Sequence, residues 1–193
     1  MNLVGIAGTN GSGKDTLGKI LADNYGYLFI SVTDILRDEL KRRDLPLSRK
    51  NMRELSAEWR RQYGLGVLVD RAITLYGDNT HEYKGLAIAS IRNPGEADRI
   101  HELGGRVVWL DAPAEIRFKR IQANRNQRGV ERSVDDERTF EQFLDDERAE
   151  MHSSGDQATL SLSGVKDKSD IFIENKSNEV EPFLSTIKNS LSL

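Results

Sequence analysis

Residues 8–16 read Gly-Thr-Asn-Gly-Ser-Gly-Lys-Asp-Thr and follow directly on the apolar run Leu3-Val4-Gly5-Ile6-Ala7. This is the order of a strand, a glycine-rich turn and a helix that opens at Lys14. Gly8, Gly11 and Gly13 permit backbone conformations that a Cβ obstructs. Successive N–H groups along the turn, those of Asn10 and Ser12 among them, can then point inward at phosphate oxygens. A helix N-terminus adds partial positive charge at the same place. Lys14 supplies a full charge on a stem long enough to reach β- and γ-phosphates. The stretch predicts a site for a nucleoside triphosphate, ATP, with Lys14 as a catalytic cation. The general pattern is G-x-x-x-x-G-K-[ST]. Here Asp15 stands in the hydroxyl position and Thr16 follows one residue later, so both are candidate Mg²⁺ ligands, Asp15 through water.

Bulk properties narrow the setting. The 193 residues suit one domain and are 31% charged and 37% hydrophobic, with a net charge of −3. That charge gives no global attraction to nucleic acid or to an anionic membrane. The chain has no cysteine, which excludes disulfides and thiolate metal sites. Asn10 and Lys14 interrupt the N-terminal apolar run too early for a secretion signal, and no run approaches the length of a membrane span. These features lead us to expect a cytoplasmic protein with small-molecule partners.

Working outward from the loop, five short β-rich segments stand out, at 2–7, 27–32, 86–90, 106–110 and 170–174. Helical patterns separate them, near 14–24, 34–43, 48–63, 66–77, 95–103, 114–124, 136–152 and 179–191. Strands alternating with helices predict an α/β fold with a five-stranded parallel sheet and helices on both faces. Residues 34–84 hold no strand and read as a helical insertion. Residues 117–136 read as a small mobile lid, and the Ser/Gly-rich stretch 153–169 as a flexible connection.

In such a sheet ligands sit at the carboxyl ends of the strands. After the second strand come Asp34 and Arg37, one helical turn apart. Asp34 could orient Mg²⁺-bound water or accept a hydroxyl proton, or could simply cap its helix. Arg92 leaves the third strand where an acceptor phosphate would lie, and a planar guanidinium suits that ligand. Between 117 and 132 the basic residues Arg117, Lys119, Arg120, Arg125, Arg128 and Arg132 face a single acid, Glu131. Arg120, Arg125 and Arg128 are expected to close over the transferring group. Arg53, Arg60 or Arg61 are further candidate acceptor contacts. The charged helix with Asp145, Asp146, Glu147, Arg148 and Glu150 reads as a mostly solvated face. Trp59 and Trp109 read as core or substrate-wall residues. His81, His101 and His152 show neither metal spacing nor a partner.

Together these segments resemble the P-loop nucleoside monophosphate kinase superfamily, the group of adenylate kinase and dephospho-coenzyme A kinase. Gly11–Thr16 resembles its loop. Val32-Thr33-Asp34-Ile35-Leu36-Arg37 is similar to its "GD-aliphatic-aliphatic-R" segment, and Ile88–Asn93 to its "DG-x-R" segment. The step Ile91-Arg92-Asn93-Pro94-Gly95-Glu96 resembles the "IRNP-x-E" of a set of archaeal and bacterial adenylate-kinase-like proteins. The resemblance implies a three-layer P-loop kinase core in a single domain over 1–193, with 34–84 as the acceptor-binding insertion. It further implies a phosphotransferase that acts on a nucleoside or deoxynucleoside monophosphate. Dephospho-coenzyme A, another phosphorylated metabolite, or a nucleotide switch without an acceptor are the alternatives. The resemblance places Gly8, Asn10 to Thr16, Arg120 and Asn175 at ATP. It places Asp34, Arg37, Arg92 and Arg128 at the acceptor, and Asp15, Thr16 and Asp34 at the metal. Lys14, Asp34, Arg120 and Arg125 are the expected catalytic set. Ala89-Ser90 stand where adenylate kinases usually carry an aspartate before glycine, and Asp15 and Asp34 are the carboxylates that could compensate.

Overall fold

Five parallel strands carry the structure: β1 (Asn2–Gly8), β2 (Tyr27–Ser31), β3 (Gly85–Ile91), β4 (Arg106–Asp111) and β5 (Ile171–Glu174), in the spatial order β2-β3-β1-β4-β5. The computed structural model describes residues 2–77, 82–123, 138–152, 155–176 and 180–191. Among these residues the helices are α1 (Lys14–Tyr25), α2 (Val32–Arg42), α3 (Arg49–Tyr63), α4 (Val67–Gly77), α5 (Pro94–Glu102), α6 (Ala114–Ala123), α7 (Phe140–Met151), α8 (Leu162–Asp167) and α9 (Val180–Leu191).

The first strand is the central one. It registers with β3 from Asn2↔Gly85 to Ile6↔Ala89, and with β4 from Val4↔Arg106 to Gly8↔Leu110. The loop after β1 therefore opens mid-sheet, where the strand order reverses and ligands bind in folds of this kind. Parallel strands covered on both faces are apolar along their whole length, and β3 is buried at every residue. On one face α1 and α9 bring Leu17, Ile20, Leu21, Phe183 and Ile187 against Val4, Ile6, Val108 and Leu110. On the other, α2 to α5 and α8 bring Leu36, Leu40, Trp59, Leu68, Ile100 and Leu162 against Leu3, Leu86, Ile88 and Trp109. Both tryptophans are core residues. The result is the three-layer α/β/α arrangement of the P-loop kinases, with α2 to α4 filling the stretch that the sequence left without a strand.

Three local features depart from the sequence reading. The flexible connection expected at 153–169 is instead anchored over its described part. It forms α8, with Leu162 and Val165 buried. Ahead of α8, the 157–161 backbone is tied down by Asn93, whose Nδ2 donates to the Gln157 and Thr159 carbonyls at 2.7 Å each. The Ser161 N–H donates to the Arg92 carbonyl at 3.0 Å. In the second departure, His101 does have a partner: its Nε2 lies 2.9 Å from Asp170 Oδ2. Finally, β3 bulges. Ile6 pairs with Ala89 and Ala7 with Ile91, which leaves Ser90 as the extra residue, in the left-handed region at φ 69°. A bulge of this kind bends a strand and re-aims a side chain.

Candidate active site

The glycine turn after β1 makes a cradle. Gly13 has φ 103° and Gly8 φ 134°, and a Cβ on Gly8 would lie 1.9 Å from the Leu110 carbonyl oxygen. The cradle is braced from outside. Thr9 Oγ1 donates to Asp111 Oδ1 at 2.7 Å, and Asn175 Nδ2 donates to the Ser12 carbonyl at 2.9 Å. Arg117 Nη1 donates to the Asn10 carbonyl at 3.3 Å. Inside the turn, Lys14 Nζ donates to the Gly8 and Thr9 carbonyls at 3.0 and 2.6 Å. Burial, and then the neighbouring Arg92 charge, lower its pKa from 10.5 to about 7. A phosphate anion at this point would restore the full charge.

The cradle opens into a cleft of about 250 Å³. Asn10, Gly11, Gly13, Lys14, Asp15, Thr16 and Arg120 line it, and Arg120 Nη2 also donates to the Asn175 carbonyl at 3.1 Å. Arg37, Arg49, Arg53, Arg60 and Arg92 also line it, with Ser31, Thr33, Ser56 and Ser90. Leu36, Met52 and Leu160 add apolar surface. Among the described residues one acid besides Asp15 lines this cleft: Glu150, from α7. Its Oε1 accepts from Arg53 at 2.6 Å and its Oε2 from Arg92 at 2.5 Å, and Arg49 lies 3.6 Å away. Burial alone would raise its pKa, but Arg92, Arg49 and Arg53 outweigh burial and hold it at about 2.

The structure brings most of the expected residues together. Lys14, Asp15, Thr16, Arg37, Arg92 and Arg120 all line the cleft. Gly8, Ser12 and Asn175 shape the loop from behind it. Arg125 and Arg128, and with them the expected lid tip, lie outside the described residues, as does His81. Asp34 does not line the cleft. Its carboxylate is exposed and accepts from Arg37 Nη1 at 2.8 Å. The reason is where the helix begins. α2 starts at Val32 and buries Val32, Leu36 and Leu40, and at about 100° per residue Asp34 falls on the side opposite that stripe. Arg61 is likewise turned outward, onto Asp156 at 2.5 Å. Arg60 lines the cleft but is committed to buried Glu96 at 2.6 Å and to the Ala158 carbonyl at 2.9 Å.

The sequence reading missed Arg49, Glu150 and Ser90. A signal for Arg49 existed: Arg49, Arg53, Ser56 and Arg60 recur at helical spacing along one face of α3. For Glu150 no local signal existed, because its partners lie 97 and 58 residues away.

Among the described residues no group of three His, Asp or Glu forms a cation cage. Mg²⁺ that arrives on phosphates needs only one or two protein oxygens, and Asp15 and Thr16 beside Lys14 fit that requirement. No helix among the described residues is long and apolar enough to cross a membrane.

Similar proteins are known. A UPF0200/UPF0201 protein of Archaeoglobus fulgidus is 23% identical over 99% of this chain, which spans 55% of that longer protein. A UPF0200 protein of Methanococcus maripaludis is 23% identical over 98% of this chain and 96% of its own. The solved shikimate kinase of Bacteroides thetaiotaomicron superposes with a TM-score of 0.62 over 100% of this chain and 99% of its own, at 14% identity, a likeness of fold. A family model described as an AAA domain matches residues 4–141, from β1 through the phosphate loop into α7. With its phosphate loop on the central strand of a P-loop kinase fold, the chain belongs to this AAA domain family.

Proposed function

We propose that the protein transfers the γ-phosphoryl group of Mg-ATP to a small phosphorylated acceptor, a nucleoside or deoxynucleoside monophosphate. One observation carries this reading: the cleft that exposes the phosphate loop and Lys14 is also lined by Arg37, Arg49, Arg53 and Arg92. A chain of net charge −3 that concentrates guanidiniums there is built to receive a second anion beside the first.

Phosphoryl transfer asks for little covalent chemistry from a protein, and positioning and charge stabilisation do most of the catalysis. An acceptor phosphate oxygen attacks the γ-phosphorus as the bond to the β-bridging oxygen breaks, and ADP leaves. Loop amides and Lys14 hold the donor. Arg37 and Arg92 hold the acceptor phosphate in line with it. Arg120, between loop and cleft, meets charge developing on the transferring group. Asp15 and Thr16 would hold Mg²⁺, which supplies charge neutralisation between the phosphates when bound. Leu36 and Met52 offer an apolar wall to the rest of the acceptor, with Ser31, Thr33 and Ser56 as hydrogen-bonding groups.

The test is a panel of acceptors with purified protein, γ-labelled ATP and Mg²⁺. Label appearing on a nucleoside monophosphate supports the proposal. Label on dephospho-coenzyme A, or on a hydroxylated carboxylic acid such as shikimate, would keep the phosphotransferase and replace its acceptor. Hydrolysis that no acceptor changes would replace it with a nucleotide switch, the alternative that the missing third-strand aspartate favours.

A further inference from the structure

Helix α7 carries Glu147 and Glu150, three residues apart and so on one face. The sequence presents them as part of a solvated charged helix, yet both turn inward onto arginines from distant elements. The Glu150 side chain is 6% exposed, while those of Arg53 and Arg92 are 42% and 24% exposed. Both arginine side chains are therefore more open to solvent than the carboxylate they share. Each gives it a single nitrogen, which leaves further N–H donors on the same rigid plane. Arg53 comes from α3 and Arg92 from the end of β3, and like charges brought this close repel without a common counter-charge.

Glu147 does the corresponding work on the donor side. It binds Arg117 through both oxygens, Nη1 meeting Oε2 and Nη2 meeting Oε1. Arg117 in turn donates to the Asn10 and Ala112 carbonyls. Its own carbonyl lies against the loop tip, 2.7 Å from where a Cβ on Gly11 would be.

We propose that α7 positions both halves of the cleft: Glu150 orients Arg53 and Arg92 for the acceptor anion, and Glu147, through Arg117, fixes the tip of the phosphate loop for the donor. The proposal rests on the phosphotransferase reading. Neither carboxylate touches a reacting group; they are positioning residues, and their effects separate by ligand.

The experiment is calorimetric titration of the full chain and of Glu150→Gln and Glu147→Gln. One ligand is a non-hydrolysable Mg-ATP analogue. The other is inorganic phosphate, added after the analogue has saturated the loop. Glu150→Gln is expected to weaken phosphate by about tenfold, the equivalent of one charge-assisted hydrogen bond, and to change the analogue far less, through its charge acting on Lys14 alone. Glu147→Gln is expected to do the reverse. General loosening of the fold would move both ligands together, so parallel losses in both variants overturn the proposal. Equal or tighter phosphate binding by Glu150→Gln also overturns it, since Glu150 would then compete for the arginines instead of aiming them. If Glu150→Gln does not fold, Glu150→Asp keeps the charge and shifts it by one methylene. Weaker phosphate binding in that variant supports the proposal, and unchanged binding overturns it. A wild-type protein that binds neither ligand removes the phosphotransferase reading, and this inference with it. A wild type that binds both while the variants match it removes only the role of α7.

Discussion

Lys14 is held neutral more easily than an ordinary lysine, because it is buried and faces Arg92. Its folded pKa of about 7 lies below the 10.5 of the free side chain. Between those values the unfolded chain holds a proton that the folded chain lacks, so this group makes stability rise with pH across that window, and its burden is complete below it. Lys14→Met should therefore raise the melting temperature of the empty protein at about pH 6, and the advantage should shrink toward pH 10. Turnover with ATP should be nearly abolished throughout. A variant that melts below wild type at the acid end contradicts this account. Ser90 is a second strained position. A non-glycine residue in the left-handed region costs roughly 1–2 kcal/mol. Ser90→Gly should raise the unfolding free energy read from urea denaturation by up to about 1–2 kcal/mol, whereas Ser90→Ala, which keeps the Cβ, should leave the strain in place. Of the residues in the cleft, those whose role depends on near neighbours were legible in the sequence. Gly8 to Thr16 announce a phosphate loop because strand, turn, lysine and helix are consecutive. Asp34 was misplaced because two residues at a helix start rotate a side chain across the helix.

The buried pair Arg60–Glu96 joins α3 to the start of α5. Glu96 Oε1 accepts from Arg60 at 2.6 Å, and Oε2 accepts the N–H groups of Arg92 and Asn93 at 2.9 and 3.1 Å. The glutamate at the end of the "IRNP-x-E" step is thus explained by structure: it caps α5 and fixes the backbone from which Arg92 projects. Removing one member of a buried pair strands the other, at about 3–5 kcal/mol. Glu96→Ala should lose that much in urea denaturation. Adding Arg60→Met should restore only part of it, because the Arg92 and Asn93 N–H groups remain without their acceptor. Full recovery in the double variant would show that the ion pair alone mattered. At this scale the sequence was informative about elements and silent about their fastening. Periodicity and turn residues located five strands and most helices within a few residues. The short α8 was missed, since Leu162 and Val165 alone make too brief a pattern, and the polar residues before it hid a segment held by Asn93 and Arg60.

Among the described residues, Lys14, Arg37, Arg49, Arg53, Arg60, Arg92 and Arg120 gather on one cleft, in a chain with an excess of acids. Arg92 sits at the centre of this arrangement, beside Glu150 and near enough to Lys14 to lower its pKa. Arg92→Ala should raise the KM for the acceptor well beyond any change in the KM for ATP. Equal effects on both would show that the arginine serves the loop and not the acceptor. The architecture itself was readable because alternating strands and helices admit few chain paths. The carboxylates that organise the cleft were not, because a pairing across 97 residues leaves no periodic trace. The 157–161 segment gives this arrangement a practical consequence. It is a fastener disguised as a loop, stitched to Arg92 and Asn93 and reaching the cleft with Leu160. A nick there would free the backbone beside Arg92, so protection of that site from protease by added phosphate is the expected sign that Arg92 binds it.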